Sequence, residues 1–133
     1  QWRDRAAALQ PRWSVNGLVC AALPELVAIG ADRLPQWTAD TWRLRDDLVG
    51  LLERFGLRVV PGAANWVLVH DRPGLREALL PHGVLVRDCA SFGLHGTTRF
   101  AVPRPEEFER LAGALASGLE DLDRGRTGVW GRG

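Results

Sequence analysis

Lysine is missing altogether: all 17 residues of the Lys+Arg count are arginine. A side-chain amine is what captures a carbonyl covalently, so no side chain here can form a Schiff base. Methionine is absent too, and the chain opens on Gln1; it is expected to be a fragment or a processed product. Arginine in place of lysine, with abundant Ala and Gly, fits a GC-rich coding sequence. Cysteine is scarce, with only Cys20 and Cys89, far apart. They are expected to be free thiols in a reducing, cytoplasmic setting. No unbroken apolar run of spanning length and no signal-peptide pattern are present, so no membrane partner is expected. A net charge of +1 gives no support for a nucleic-acid partner. His70, His82 and His95 are scattered singly, without metal-ligand spacing, and no metal site is expected.

At 133 residues, 46% hydrophobic and 25% charged, the chain is of ordinary globular composition and long enough for a real core. Residues 1–10 read as helix, ended by Pro11. Ser14 is the expected cap of a second helix through Val15, Leu18, Val19, Ala22 and Leu23, with a break or kink at Pro24. Residues 38–55 form a firmer helix with Leu44, Leu48, Leu51 and Phe55 on one stripe, stopped by Gly56. Strands are expected at Leu57–Val60 and Trp66–His70, around a Pro61-Gly62 turn. A short helix follows from Pro73 to Leu80, closed by Pro81-His82-Gly83. Pro105, Glu106 and Glu107 open the last helix, whose apolar face runs through Phe108, Leu111, Leu115, Leu119 and Leu122. Helices followed by β-β-α-β-β-α predict an α+β fold. It is a mainly antiparallel sheet of about four strands, with helices packed on one face and connecting helices before it.

The segment from Gly83 to Val102 carries the chemistry. It reads as two short strands, each with one arginine among apolar residues, joined by a glycine-containing loop. Burying a guanidinium is costly unless an anion meets it, and its planar fork suits carboxylates and phosphates. Arg87 and Arg99 on neighbouring strands could grip both ends of a doubly anionic small molecule. The plainer alternative is surface ion pairing, with Asp88 as the natural partner. His95, in the loop between them, is either near a ligand or simply solvated. Gly93 and Gly96 either bring backbone amides to an anion or only turn the chain. Cys89 and Ser91 lack the neighbours that would make either a nucleophile. Trp13, between Arg12 and Ser14, is the tryptophan to place near a ligand or another domain.

Pro11-Arg12-Trp13-Ser14-Val15-Asn16, Pro61-Gly62-Ala63-Ala64-Asn65-Trp66, Leu85 to Gly93, and Arg99-Phe100-Ala101-Val102 with Glu106-Glu107 and Arg110-Leu111 occur in that order. Together they resemble the C-terminal part of fold-type I, class I/II pyridoxal-phosphate enzymes. Within these, the chain is most similar to the branch of threonine-phosphate decarboxylases and histidinol-phosphate aminotransferases. The Trp-Ser-Val-Asn and Arg-Asp-Cys-Ala-Ser-Phe-Gly segments favour the decarboxylase of cobalamin biosynthesis.

The resemblance implies that Arg99 binds the substrate α-carboxylate and that Arg87 helps hold its phosphate end. Trp13, Asn16 and His95 would lie near the substrate. It implies pyridoxal 5′-phosphate in the full-length enzyme, a phosphorylated amino-acid substrate and a homodimer. The Schiff-base lysine belongs to a large domain absent here, so the chain alone is expected to be inactive and to bind no cofactor covalently. On this reading residues 1–35 are connecting helices, 36–123 the small domain and 124–133 a flexible Arg/Gly-rich tail. The alternatives are an aminotransferase of histidinol-phosphate type and a non-catalytic α+β module binding anions or a protein.

Overall fold

The computed structural model describes residues 2–9 and 16–127. It divides into two compact units, Gln1–Thr38 and Ala39–Gly133.

The first unit is helical. Helix α1 spans Trp2–Leu9 and buries none of its residues; the Arg5 guanidinium lies 5.5 Å from the Trp2 ring centre. Helix α2 spans Gly17–Arg54 and so contributes residues to both units. Asn16 caps it: its Oδ1 accepts the Val19 N–H at 2.9 Å and its carbonyl accepts the Cys20 N–H at 3.1 Å, satisfying donors that the first turn leaves open. The expected cap Ser14 and the expected stop at Pro11 lie outside the described residues. Of the break or kink expected at Pro24, the break does not occur: Pro24 and Pro35 both sit inside α2. Each proline removes one hydrogen bond, but its fixed φ is itself helical. Strong helix formers such as Ala21, Ala22, Leu23, Glu25 and Leu26 flank Pro24. The two helices expected on either side of residue 30 are therefore one. Leu18, Val19, Leu23 and Leu26 remain 83, 44, 50 and 55% exposed.

The second unit is an α+β sandwich. Strands β1 (Arg58–Pro61), β2 (Trp66–His70), β3 (Arg87–Asp88) and β4 (Thr98–Ala101) form one sheet in the order β1-β2-β4-β3, with every pairing antiparallel. Alternation along β2 sorts its residues: Val67 and Val69 are fully buried, while Trp66, Leu68 and His70 are half-buried. Val67 stands opposite Phe100, and Val69 opposite Thr98, so these four share the inner face. That face packs with Leu48, Leu51 and Leu52 of α2, Leu75 and Leu79 of α3 (Leu75–Leu79), and Leu111, Leu115 and Leu119 of α4 (Phe108–Thr127) in one core. Leu48 and Leu51 hold the expected stripe, whereas Leu44 and Phe55 at its ends are half-buried. Gly56, at φ +71°, ends α2 as expected.

Helix α4 opens on a turn at Pro105–Glu107. The Glu107 carboxylate accepts the Arg104 N–H at 3.0 Å and its guanidinium at 3.2 Å. The first of these bonds, then the guanidinium, holds the Glu107 carboxyl below the usual carboxylate range; the same pair raises Arg104. The helix continues past Asp123 to Thr127, further than its apolar face predicts. Gly118 lets α4 approach α3: a Cβ there would stand 2.9 Å from the Ala78 carbonyl oxygen and 3.1 Å from Leu79 Cδ2.

Candidate anion-binding site

Strand β3 covers only Arg87 and Asp88, and the reason lies in the residues just before it. The Val84 N–H donates to the Leu79 carbonyl at 3.3 Å, and Arg110 donates to the Gly83 carbonyl at 2.6 Å. These bonds tie residues 83–84 to the helices, so only Arg87 and Asp88 reach the β4 ladder. There the register sets Arg87 directly opposite Arg99. Opposed residues project from the same face of a sheet, with Cα atoms about 4.5–5.5 Å apart. Leu68 stands opposite Arg99 on the other side, so both arginines share the outer face with Trp66 and Leu68 rather than the core.

Each guanidinium lies over an aromatic ring: Arg99 at 5.6 Å from the Trp66 centre and Arg87 at 4.7 Å from the Phe92 centre. Stacking of this kind favours the cation and leaves the edge of the fork open to an acceptor. Several other arginines of the second unit are occupied. Arg58 meets Asp71 at 2.6 Å, Arg72 meets Asp123 at 2.6 Å, and Arg45 meets Asp46 at 2.8 Å. Among the described residues, no carboxylate lies within ion-pairing distance of Arg87 or Arg99. Asp88, the expected local partner, is used by its own loop: its Oδ1 accepts the Ala90 N–H at 2.6 Å. That bond starts the turn Ala90–Phe92, which seats Phe92 beneath Arg87.

Arg87 and Arg99 line a groove of about 530 Å³ together with Leu85, Val86, Asp88, Ala101 and Arg76. Arg76 belongs to α3 and was not singled out from sequence. Its signal is positional: Leu75 and Leu79 bury one stripe of a very short helix, and Arg76 flanks that stripe. Trp66 and Phe92 were likewise missed as seats for the arginines. Cys89 is buried, with Sγ 3.7 Å from the Arg87 carbonyl, so it acts as packing under the strand. His95 is exposed in the turn before β4 and is not in the groove lining. Asn16 lies in the first unit with its side-chain oxygen committed to the α2 cap. Trp13 lies outside the described residues. Among those described, no three His, Cys, Asp or Glu side chains converge to hold a metal ion, and no helix is long and apolar enough to cross a membrane.

No family model matches the chain. Individual relatives do. The histidinol-phosphate aminotransferase of Symbiobacterium thermophilum is 40% identical over 111 residues, which are 80% of this chain and 30% of that protein. The histidinol-phosphate aminotransferase of Haloarcula marismortui is 30% identical over 125 residues, 91% of this chain and 33% of that protein. Among solved structures, a candidate aminotransferase from Burkholderia pseudomallei superposes with a TM-score of 0.70 at 30% identity, over 85% of this chain and 35% of its own. The chain thus spans about a third of the length of the relatives it matches. These likenesses bear out the resemblance to fold-type I aminotransferase-like enzymes.

Proposed function

We propose that this chain is the substrate-gripping small domain of a pyridoxal-phosphate-dependent enzyme, an aminotransferase similar to the histidinol-phosphate type but acting on a phosphorylated amino acid, which has a carboxylate at one end and a phosphate at the other. The observation that carries the reading is the pair Arg87 and Arg99, opposed in register, stacked on aromatic rings and without carboxylate partners among the described residues. Two forks one strand apart can hold the two ends of one small dianionic substrate by bidentate contacts. Arg99, half-buried on the central strand, suits the fixed carboxylate end. Arg87, exposed on the edge strand, suits an end that varies between substrates. Holding both ends orients the atoms between them, which is this domain's contribution to rate.

The cofactor enters only through the relatives' class. The chain contains no lysine, so its side chains supply no amine to attach pyridoxal phosphate. The relatives named above carry aminotransferase names and none is named a threonine-phosphate decarboxylase; transamination is therefore the preferred reaction.

The test is made in the intact enzyme. Charge-assisted hydrogen bonds contribute about 1.5–3 kcal/mol each, so Arg99→Ala or Arg87→Ala lowers kcat/KM at least about tenfold, with the larger loss at Arg99. Arg87→Ala penalises phosphorylated substrates more than unphosphorylated analogues; equal penalties would remove its phosphate role. Carbon dioxide release without amino transfer would overturn the transamination reading.

A further inference from the structure

We propose that Arg76 is a third anion ligand of the groove and sets its preference for a phosphomonoester dianion over a carboxylate. The inference rests on the anion-gripping role given above to Arg87 and Arg99. Three guanidinium-bearing residues line one groove, from three different elements: Arg76 of α3, Arg87 of β3 and Arg99 of β4. One carboxylate, Asp88, lines it with them, and its Oδ1 is engaged by the Ala90 N–H. Arg76 is held from behind by Glu77, its neighbour in sequence, through NH1 and Oε1 at 3.0 Å, and its side chain is 40% exposed. An arginine has five N–H donors, so this contact leaves donors on the fork for a ligand.

The charge arithmetic separates the ligands. A carboxylate carries one charge and two acceptor atoms, which a single fork satisfies. A phosphomonoester above its second pKa, about 6, carries close to two charges and three acceptor oxygens. Two forks leave part of that charge unmet when one of them is committed to a carboxylate at the other end. A third cation on the edge of the same groove supplies the difference. No histidine lines the groove, so a pH dependence near 6 would come from the ligand rather than from the site.

The experiment titrates the 133-residue chain with methyl phosphate and, separately, with acetate, following the arginine side-chain N–H signals by NMR. Arg76→Gln is expected to weaken methyl phosphate binding at about pH 7.5 by up to about fivefold, the range of a partly exposed charge pair. It should change acetate binding less than about twofold. The methyl phosphate loss should shrink toward the acetate value at about pH 5, where the ester is a monoanion. Arg76→Lys, which keeps the charge, is expected to recover most of the loss. Methyl phosphate affinity unchanged in Arg76→Gln, while Arg87→Gln and Arg99→Gln both weaken it, overturns the role of Arg76 and leaves the two-arginine reading standing. Affinity unchanged in Arg87→Gln and Arg99→Gln overturns that reading, and this inference with it. An Arg76→Lys variant as weak as Arg76→Gln also overturns it, since charge would not be the cause.

Discussion

Replacing Gly118 by alanine sets two effects of known sign against each other. Glycine inside a helix is less stable than alanine by about 0.5–1 kcal/mol, through its greater freedom in the unfolded chain. On that ground alone Gly118→Ala would stabilise α4. The structure opposes it: the new Cβ would stand 2.9 Å from the Ala78 carbonyl oxygen and 3.1 Å from Leu79 Cδ2. The first of these is backbone and cannot swing aside. Leu79 itself is fully buried. Overpacking at a tight contact costs about 1–3 kcal/mol, so the net change is a loss of up to about 2.5 kcal/mol. Gly113, in the same helix, is the control, because nothing lies within 4 Å of a Cβ built there. Gly113→Ala should gain the full propensity term, about 0.5–1 kcal/mol. For a domain of this size 1 kcal/mol is about 4–8 °C in Tm. The two single variants should therefore move in opposite directions, readily separated by thermal unfolding followed by circular dichroism. Equal stabilisation by both would refute the α3–α4 contact as described.

Three further outcomes are expected. Because the folded Glu107 carboxyl is held below its ordinary value near 4.5, its contribution is present above that value and lost as pH falls through the folded one. The Tm difference between the chain and Glu107→Gln should be steady at neutral pH and vanish in acid; a difference that grows in acid would reverse the assigned sign. Mixing the chain with pyridoxal phosphate and borohydride should label no internal residue, since there is no lysine to reduce, and a stoichiometric internal adduct in the peptide map would contradict this. The exposed Leu18, Val19, Leu23 and Leu26 lie at helical spacing, and contiguous apolar patches of this kind tend to find partners. Sedimentation at several concentrations should show self-association, and a strictly monomeric chain throughout would argue against it.

What the sequence revealed followed the range over which each signal acts. The alternation in Trp66–His70 and the stripes in residues 38–55 and 108–122 are periodic patterns of burial, and they placed β2 and the core faces of α2 and α4 correctly. The break weighed at Pro24 rested on a local rule and is absent. Proline weakens a helix by one bond and a clash, and whether the helix survives depends on its neighbours. The length of β3 was illegible for a different reason. The segment from Gly83 reads as strand, but the Val84 N–H turns back to Leu79 in the preceding helix and the Gly83 carbonyl is held by Arg110, 27 residues on. Arg76 was missed on the same ground: a charged residue on a five-residue helix carries no pattern of its own.

The choice between an anion grip and idle ion pairs at Arg87 and Arg99 turns on Asp88, and the sequence leaves that choice open. An acid beside Arg87 in sequence reads as its partner. Yet adjacent residues of a strand point to opposite faces, so the register that brings Arg87 to Arg99 sets Asp88 across from Thr98. The carboxylate is then positioned for the loop amide of Ala90, and the bond it makes there shapes the turn that carries Phe92 under Arg87. One hydrogen bond thus engages an oxygen of the competing carboxylate and shapes the turn that carries the ring on which the cation rests. An exposed ion pair in the alternative arrangement would contribute about 0–1 kcal/mol, too little to account for two arginines seated on aromatic rings. Two seated, unpaired forks on one face are better matched to an anion that arrives from outside the chain.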